Sequence, residues 1–111
     1  MVSIFDQGDV IEVNLDPTLG HEPQKTRPVL VISASDFNMR SSLTVVAPIT
    51  SINNGYPMHV CLSGDESAKG YVCVEQLRAI DLIARKTTYI GTASPETMDA
   101  VLTRVGAVFG I

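Results

Sequence analysis

The sequence predicts a small, mainly β protein: an antiparallel barrel, or a strongly curled sheet, of five or six short strands closed by a C-terminal helix. Three observations lead to this fold class. Short apolar runs have strand character, turn residues separate them, and helical periodicity is confined to the C-terminal segment. A length of 111 residues leaves room for one core, so we expect a single domain over residues 1–111.

The first two strands are predicted by different patterns. In residues 10–15 apolar and polar side chains alternate, which is the period of a half-buried strand. Residues 16–26 then form a loop that is long for a compact domain, and such loops are often functional. Pro28 opens the β-branched run 29–32, which is typical of a strand buried on both faces.

The middle of the chain alternates between apolar runs and turn residues. For the polar stretch 33–42 we expect one short helical turn. The apolar runs predict further strands over residues 43–49, 58–62, 71–75 and 87–93.

The C-terminal segment carries the signals of an amphipathic helix. Ser94 is a good N-cap, Pro95 suits the first helical position, and Glu96 and Asp99 favour the positive end of the helix dipole. Apolar residues then recur at spacings of three and four, which predicts that one face packs on the sheet. These residues are Met98, Val101, Leu102, Val105 and Val108.

Composition narrows the class of protein. Eight basic and twelve acidic residues give a net charge of −4, which argues against a protein that binds duplex DNA without sequence preference. The chain shows no secretory signal and no apolar run of the ~20 residues that span a bilayer, so we expect a cytoplasmic protein without membrane contact. Two cysteines are too few for a disulfide scaffold.

A metal site is not expected. His59, Cys61 and Cys73 are three possible metal ligands on neighbouring strands. So few candidate ligands are more often ordinary strand residues, which is the favoured interpretation. Neither a phosphate-binding glycine loop nor a serine nucleophile elbow is present. We therefore expect no metal and no cofactor.

The densest cluster of reactive side chains lies in residues 20–28. His21, Glu22, Lys25 and Arg27 place an imidazole, a carboxylate, an ammonium and a guanidinium in one loop. Metal-free RNA cleavage needs a base for the 2′-hydroxyl, an acid for the leaving 5′-oxygen and a cation for the phosphate. A solvated loop of mixed charge is the competing interpretation.

The same segment resembles the signature of the MazF/PemK/Kid toxin family. Residues 16–33 match its order of Asp-Pro, Gly-x-Glu, a polar stretch, Arg-Pro and an apolar strand. Further matches follow in the same order along nearly the whole chain, which makes the resemblance more specific than any single motif. They are Phe37-Asn38, Pro48-Ile49-Thr50-Ser51, Gly55-Tyr56-Pro57, the block 70–85, Gly91-Thr92 and Pro95-Glu96.

The resemblance implies a fold, an activity and partners. Family members are SH3-like barrels that form symmetric dimers, and they cut single-stranded RNA at specific sequences without a metal. Their products end in a 2′,3′-cyclic phosphate and a 5′-hydroxyl. We therefore expect an endoribonuclease toxin of a toxin–antitoxin pair, a homodimer whose groove binds either RNA or the tail of a cognate antitoxin.

Site residues are implied position by position. Glu22 matches the Gly-x-Glu carboxylate, a proposed base, Arg27 matches the arginine that stabilises the scissile phosphate, and Thr50 matches a hydroxyl near that phosphate. In the Kid branch an aspartate stands at the position of Glu75 and pairs with an arginine, but Cys73 occupies the arginine's position here. Since a cysteine supplies no fixed positive charge, the Glu22 and Arg27 arrangement is favoured for catalysis.

The remaining matched residues are expected to bind RNA. Glu75 and Gln76 are expected to contact base edges, and Lys25 to contribute to a cationic lining of the groove. His21 matches a histidine of the Kid branch that is thought to assist there. The RNA-binding set is His21, Lys25, Ser51, Glu75 and Gln76.

Two other functions stay open from the sequence. A gyrase-inhibiting toxin of the CcdB type shares the architecture, and the C-terminal Val108-Phe109-Gly110-Ile111 partly echoes its Trp-Gly-Ile end. A noncatalytic SH3-like binding module is the second alternative, because small β-barrels host many functions. RNA cleavage and inhibition of gyrase supercoiling are the activities that separate these readings.

Overall fold

The computed structural model describes residues 5–15, 26–63 and 68–111. These residues form seven strands, two α-helices and one 3-10 turn. In chain order they are β1 (Asp9–Asn14), β2 (Thr26–Val31), α1 (Ser35–Arg40), β3 (Thr44–Thr50), β4 (His59–Cys61), β5 (Tyr71–Cys73), the 3-10 turn (Val74–Gln76), β6 (Arg78–Ile80), β7 (Thr87–Thr92) and α2 (Pro95–Val108).

Antiparallel pairing joins all the strands into one sheet in the order β4-β5-β3-β2-β1-β7. The central strand β3 has two partners on one edge. Its residues Thr44–Val46 pair with β6, whereas Ile49 and Thr50 pair with β5. β5 and β6 therefore pair with different ends of β3. The end of β3 that carries Thr50 lies beside β5 and the 3-10 turn.

The sheet has an apolar cluster on each face. Along β2, Val29 and Val31 belong to one cluster, while Leu30 and the following Ile32 belong to the other. Successive strand side chains point to opposite faces, so a continuous apolar run fills both clusters. The prediction that this strand is buried on both faces is confirmed.

Helix α2 covers one of these clusters. The Ser94 hydroxyl accepts a 3.1 Å hydrogen bond from the Thr97 amide, which caps the helix as the sequence predicts. Val101 is fully buried, and Met98 and Val105 pack against the same cluster. Leu102 and Val108 remain exposed, so the predicted apolar stripe is wider than the face that the sheet covers.

The predicted fold class is confirmed, and the differences concern the number and the exact bounds of the strands. Residues 5–15, 26–63 and 68–111 contain seven strands rather than five or six, because Arg78–Ile80 pairs with β3. The strand predicted over 71–75 ends at Cys73, where the chain turns into the 3-10 segment. The last strand, predicted over 87–93, ends at Thr92.

One prediction about the helices is also confirmed. The short helical turn expected within 33–42 is α1, whose Asn38 side chain is buried and donates to the carbonyls of Phe5 and Ser33. Of the helices in the described residues, none combines the length and apolar character needed to cross a membrane.

Candidate functional site

An open groove lies where the ends of several strands meet. Its volume is about 280 Å³, and it carries one guanidinium, a hydroxyl, two amides, an imidazole and apolar side chains. β2, β3, β4 and β5, the loop after β3 and the 3-10 turn all contribute. The lining residues are Arg27, Pro48, Ile49, Thr50, Ile52, Asn54, His59, Cys73 and Gln76.

Arg27 and Thr50 bring a cation and a hydroxyl to this groove. Arg27 lies near the start of β2, opposite Val13 of β1, and its side chain is exposed. Thr50 is the last residue of β3, and its hydroxyl accepts a 3.2 Å hydrogen bond from the Ile52 amide. This bond anchors the turn after the strand, and the hydroxyl hydrogen stays available as a donor.

The loop after β3 forms one wall of the groove. The Asn53 side-chain oxygen accepts from the Gly55 amide at 3.1 Å, and that of Asn54 accepts from the Tyr56 amide at 3.0 Å. These are Asx turns, which define the path of an exposed loop without help from the core. Gly55 has φ of +75°, a conformation that other residues rarely adopt.

His59 and Glu75 form a hydrogen-bonded pair at one end of the groove. In the β4–β5 register His59 lies opposite Cys73, so the 3-10 turn that follows Cys73 brings Glu75 back over the imidazole. The distance from His59 Nε2 to Glu75 Oε2 is 3.0 Å. The His59 side chain is only 10% exposed and that of Glu75 29% exposed. The Tyr56 ring meets His59 edge-on, with ring centroids 5.2 Å apart.

These contacts lower the pKa of the Glu75 carboxyl group and so favour its ionised form. Partial burial by itself would raise the pKa of its carboxyl group. The hydrogen bond from His59 opposes that effect, with help from a backbone amide and from the Gln76 side chain, and the net result is a pKa below the usual value. Glu75 is therefore an ionised hydrogen-bond acceptor at neutral pH.

The pKa of Cys73 is shifted in the opposite direction, upward. Burial, and then the nearby negative charge of Glu75, raise the pKa of its thiol, although a backbone hydrogen bond at Thr50 partly offsets this. The residue is 4% exposed, so it lines the groove as a neutral, unreactive thiol. Within the described residues no group of three or more side chains is arranged to hold a metal ion.

The structure brings together part of the predicted site. Arg27, Thr50 and Gln76 share the groove, and Glu75 lies immediately beside it through His59. Ser51 is exposed next to Thr50 but does not line the groove. The predicted residues His21, Glu22 and Lys25 lie outside the described residues.

His59 is the residue that sequence reasoning missed, since an isolated histidine on a strand has no distinguishing pattern. The sequence offered His59 only as a weak candidate metal ligand on a strand next to that of Cys73; the register that places the two residues opposite each other is seen in the structure. What the sequence does not contain is the 3-10 turn that returns Glu75 to that face.

The chain is similar to known proteins over nearly its whole length. Residues 6–109 match the family model described as PemK-like, MazF-like toxin of type II toxin–antitoxin system. The chain is 41% identical to the endoribonuclease toxin ChpB of Escherichia coli K12, over 96% of this chain and 95% of ChpB. It is 35% identical to the endoribonuclease toxin MazF of the same organism, over 99% of this chain and all of MazF.

A solved structure shares the fold. The crystal structure of MazE–MazF (Form-II) from Deinococcus radiodurans superposes with a TM-score of 0.85 and 24% identity, covering 99% of both chains. The likeness extends over the strands and helix described above.

Proposed function

Because the chain belongs to the PemK-like, MazF-like toxin family of type II toxin–antitoxin systems, we propose that it is a sequence-specific endoribonuclease toxin. It cuts single-stranded RNA without a metal and is held inactive by a cognate antitoxin. Its relatives ChpB and MazF are named endoribonucleases, which favours this function over gyrase inhibition and over a noncatalytic module.

One observation carries the proposal: Arg27, Thr50 and Gln76 come from three separate segments and line the same open groove. A guanidinium presents a planar fork that matches two phosphate oxygens. A hydroxyl beside it donates to a third oxygen, and a side-chain amide both donates and accepts at a base edge. The groove is open rather than enclosed, which suits a polymer that enters and leaves along its length.

The chemistry that fits this groove is an internal transesterification. The 2′-oxygen attacks the adjacent phosphorus, the new P–O2′ bond forms, and the P–O5′ bond breaks. One proton leaves the 2′-hydroxyl and one proton is delivered to the departing 5′-oxygen, so no water is consumed. The products are a 2′,3′-cyclic phosphate and a 5′-hydroxyl.

We assign the parts as follows. Glu22 is the base that takes the 2′-proton, Arg27 holds the phosphate as negative charge grows on it, and Thr50 supports the same phosphate. His21, Lys25 and Ser51 bind the RNA around the scissile bond, and Glu75 and Gln76 contact bases. For Glu22, His21 and Lys25 the support is the family signature in the sequence.

The partners follow from the same proposal. We expect a homodimer, supported by exposed apolar side chains at the C-terminus, where Phe109 is 62% and Ile111 97% exposed. An antitoxin segment would compete with RNA for the groove. RNA binding then needs only a local cationic lining from Lys25 and Arg27, so a net charge of −4 is no obstacle. The cytoplasm, where RNA is available, is the proposed location.

The proposal is tested with the purified protein and several long unstructured RNAs in the presence of EDTA. Cleavage at one short recurring sequence, suppressed by rising salt, is the expected result. If well-folded protein left every RNA intact, the endoribonuclease proposal would be abandoned, whereas the family assignment would stand.

A further inference from the structure

The His59–Glu75 pair has no part in the cleavage chemistry just described, yet it lies beside the groove. We propose that His59 is a positioning residue that holds the Glu75 carboxylate so that its second oxygen selects bases with an exocyclic amino group and rejects uracil. This inference rests on the proposed endoribonuclease function and specifies how one base of the substrate is read.

The direction of the hydrogen bond follows from the charge of Glu75. An ionised carboxylate only accepts hydrogen bonds, so the hydrogen lies on His59 Nε2. The Gln76 amide donates to the same oxygen, Oε2, at 3.4 Å. Both side-chain donors given by the described residues therefore end on Oε2, which leaves Oε1 without a side-chain donor among those residues, and we infer that Oε1 is the oxygen that contacts a base.

The imidazole lines the groove but is mostly buried, so it is better placed to orient Glu75 than to contact RNA itself. Its side chain is 10% exposed, and the Tyr56 ring packs against it edge-on. Its Nδ1 is buried and has no hydrogen-bond partner among the described residues. An apolar side chain would avoid that desolvation penalty. What the imidazole provides in return is the 3.0 Å hydrogen bond that orients Glu75.

Base chemistry decides what Oε1 selects. Adenine, cytosine and guanine each carry an exocyclic amino group that donates to a carboxylate. Uracil carries none, and its two carbonyl oxygens flank its single N–H, so their lone pairs repel a carboxylate. A fixed carboxylate therefore rejects uracil at one position of the recognised sequence.

The experiment measures base preference rather than overall rate. Wild type, Glu75→Gln, His59→Phe and His59→Gln each digest a pool of RNAs with randomised sequence, and the bases around every cut are counted by sequencing. Glu96→Gln, which removes an exposed carboxylate in the first turn of α2, is the matched control.

We expect wild type and the control to disfavour uracil at one position by about tenfold or more. In Glu75→Gln that bias is lost, because an amide also donates to uracil oxygens. His59→Phe weakens the bias at the same position and at no other, whereas His59→Gln, which keeps a donor, restores much of it. The Glu75 side chain is only partly buried, so its variant tests base selection even if the His59 variants fold poorly.

Three outcomes would overturn the inference. One is a wild-type profile with no position that disfavours uracil. Another is a uniform fall in rate for Glu75→Gln with unchanged base preference, which would make Glu75 catalytic. In both cases RNA cleavage itself would stand. A wild-type protein that leaves the pool intact would instead remove the proposed function, and this inference with it.

Discussion

Replacing Arg27 by alanine removes the guanidinium from the groove that we propose holds the scissile phosphate. Arg27 is exposed near the start of β2, so its loss changes the free energy of unfolding by no more than about 0.5 kcal/mol. Loss of one preorganised donor to a developing oxyanion lowers the rate by about 10²–10³-fold. The groove is open to water, so we expect the lower end, ~100-fold, which is about 2.7 kcal/mol of transition-state stabilisation.

The assay is single-turnover cleavage of a short RNA that contains the recognised sequence, with thermal unfolding measured in parallel. Arg40→Ala is the matched control, because it removes the same charge from an arginine on α1 whose partner Asp36 is 3.6 Å away and equally exposed. Arg27→Lys keeps the charge but not the planar fork, so we expect its cleavage rate to lie between those of Arg27→Ala and Arg40→Ala. Cleavage by Arg27→Ala within a few-fold of Arg40→Ala would refute the assignment of Arg27 to the phosphate.

Three further predictions concern the surroundings of the groove. The pKa of Glu75 is lowered in the folded state, so its ionised carboxylate stabilises the protein above the ordinary pKa of 4.5, and this stabilisation is lost as the pH falls below that value. The free energy of unfolding of Glu75→Gln, measured in denaturant, should therefore depend less on pH in that range than the free energy of wild type. An unchanged pH dependence would contradict this. Gly70 has φ of +129°, and in Gly70→Ala the new Cβ would lie 2.7 Å from the Thr50 carbonyl oxygen. We expect denaturant unfolding to show a loss of about 1–3 kcal/mol in the free energy of unfolding. A variant as stable as wild type would contradict the backbone conformation at Gly70. Iodoacetamide should label the exposed Cys61 well before Cys73, because Cys73 is buried and the pKa of its thiol is raised. Peptide mass spectrometry would measure the two labelling rates. Equal rates would contradict the burial of Cys73.

Local patterns predicted most of the fold because each strand and helix carries its own signal. The β-branched run after Pro28 specifies a strand buried on both faces, and Ser94-Pro95 marks the start of α2. β6 was missed because Arg78–Ile80 is too short to show a period. Its strand conformation comes from pairing with Thr44–Val46, which are far away in the sequence.

The candidate site was predicted less completely, for the same reason. Arg27 and Thr50 belong to recognisable motifs, and the structure does bring them to one groove. His59 and Glu75 are 16 residues apart and meet only through the β4–β5 register and the turn after Cys73. No local pattern encodes such a meeting, since it depends on two hydrogen-bonding registers at once.

The most direct test of the account is the identity of the RNA ends formed in EDTA, using one substrate with a normal scissile nucleotide and one with a 2′-deoxy nucleotide at that position. Internal transesterification requires the 2′-oxygen as nucleophile. We expect a 2′,3′-cyclic phosphate and a 5′-hydroxyl from the first RNA, and we expect the second RNA to stay intact. Cleavage of the deoxy substrate, or products with a 5′-phosphate, would contradict it.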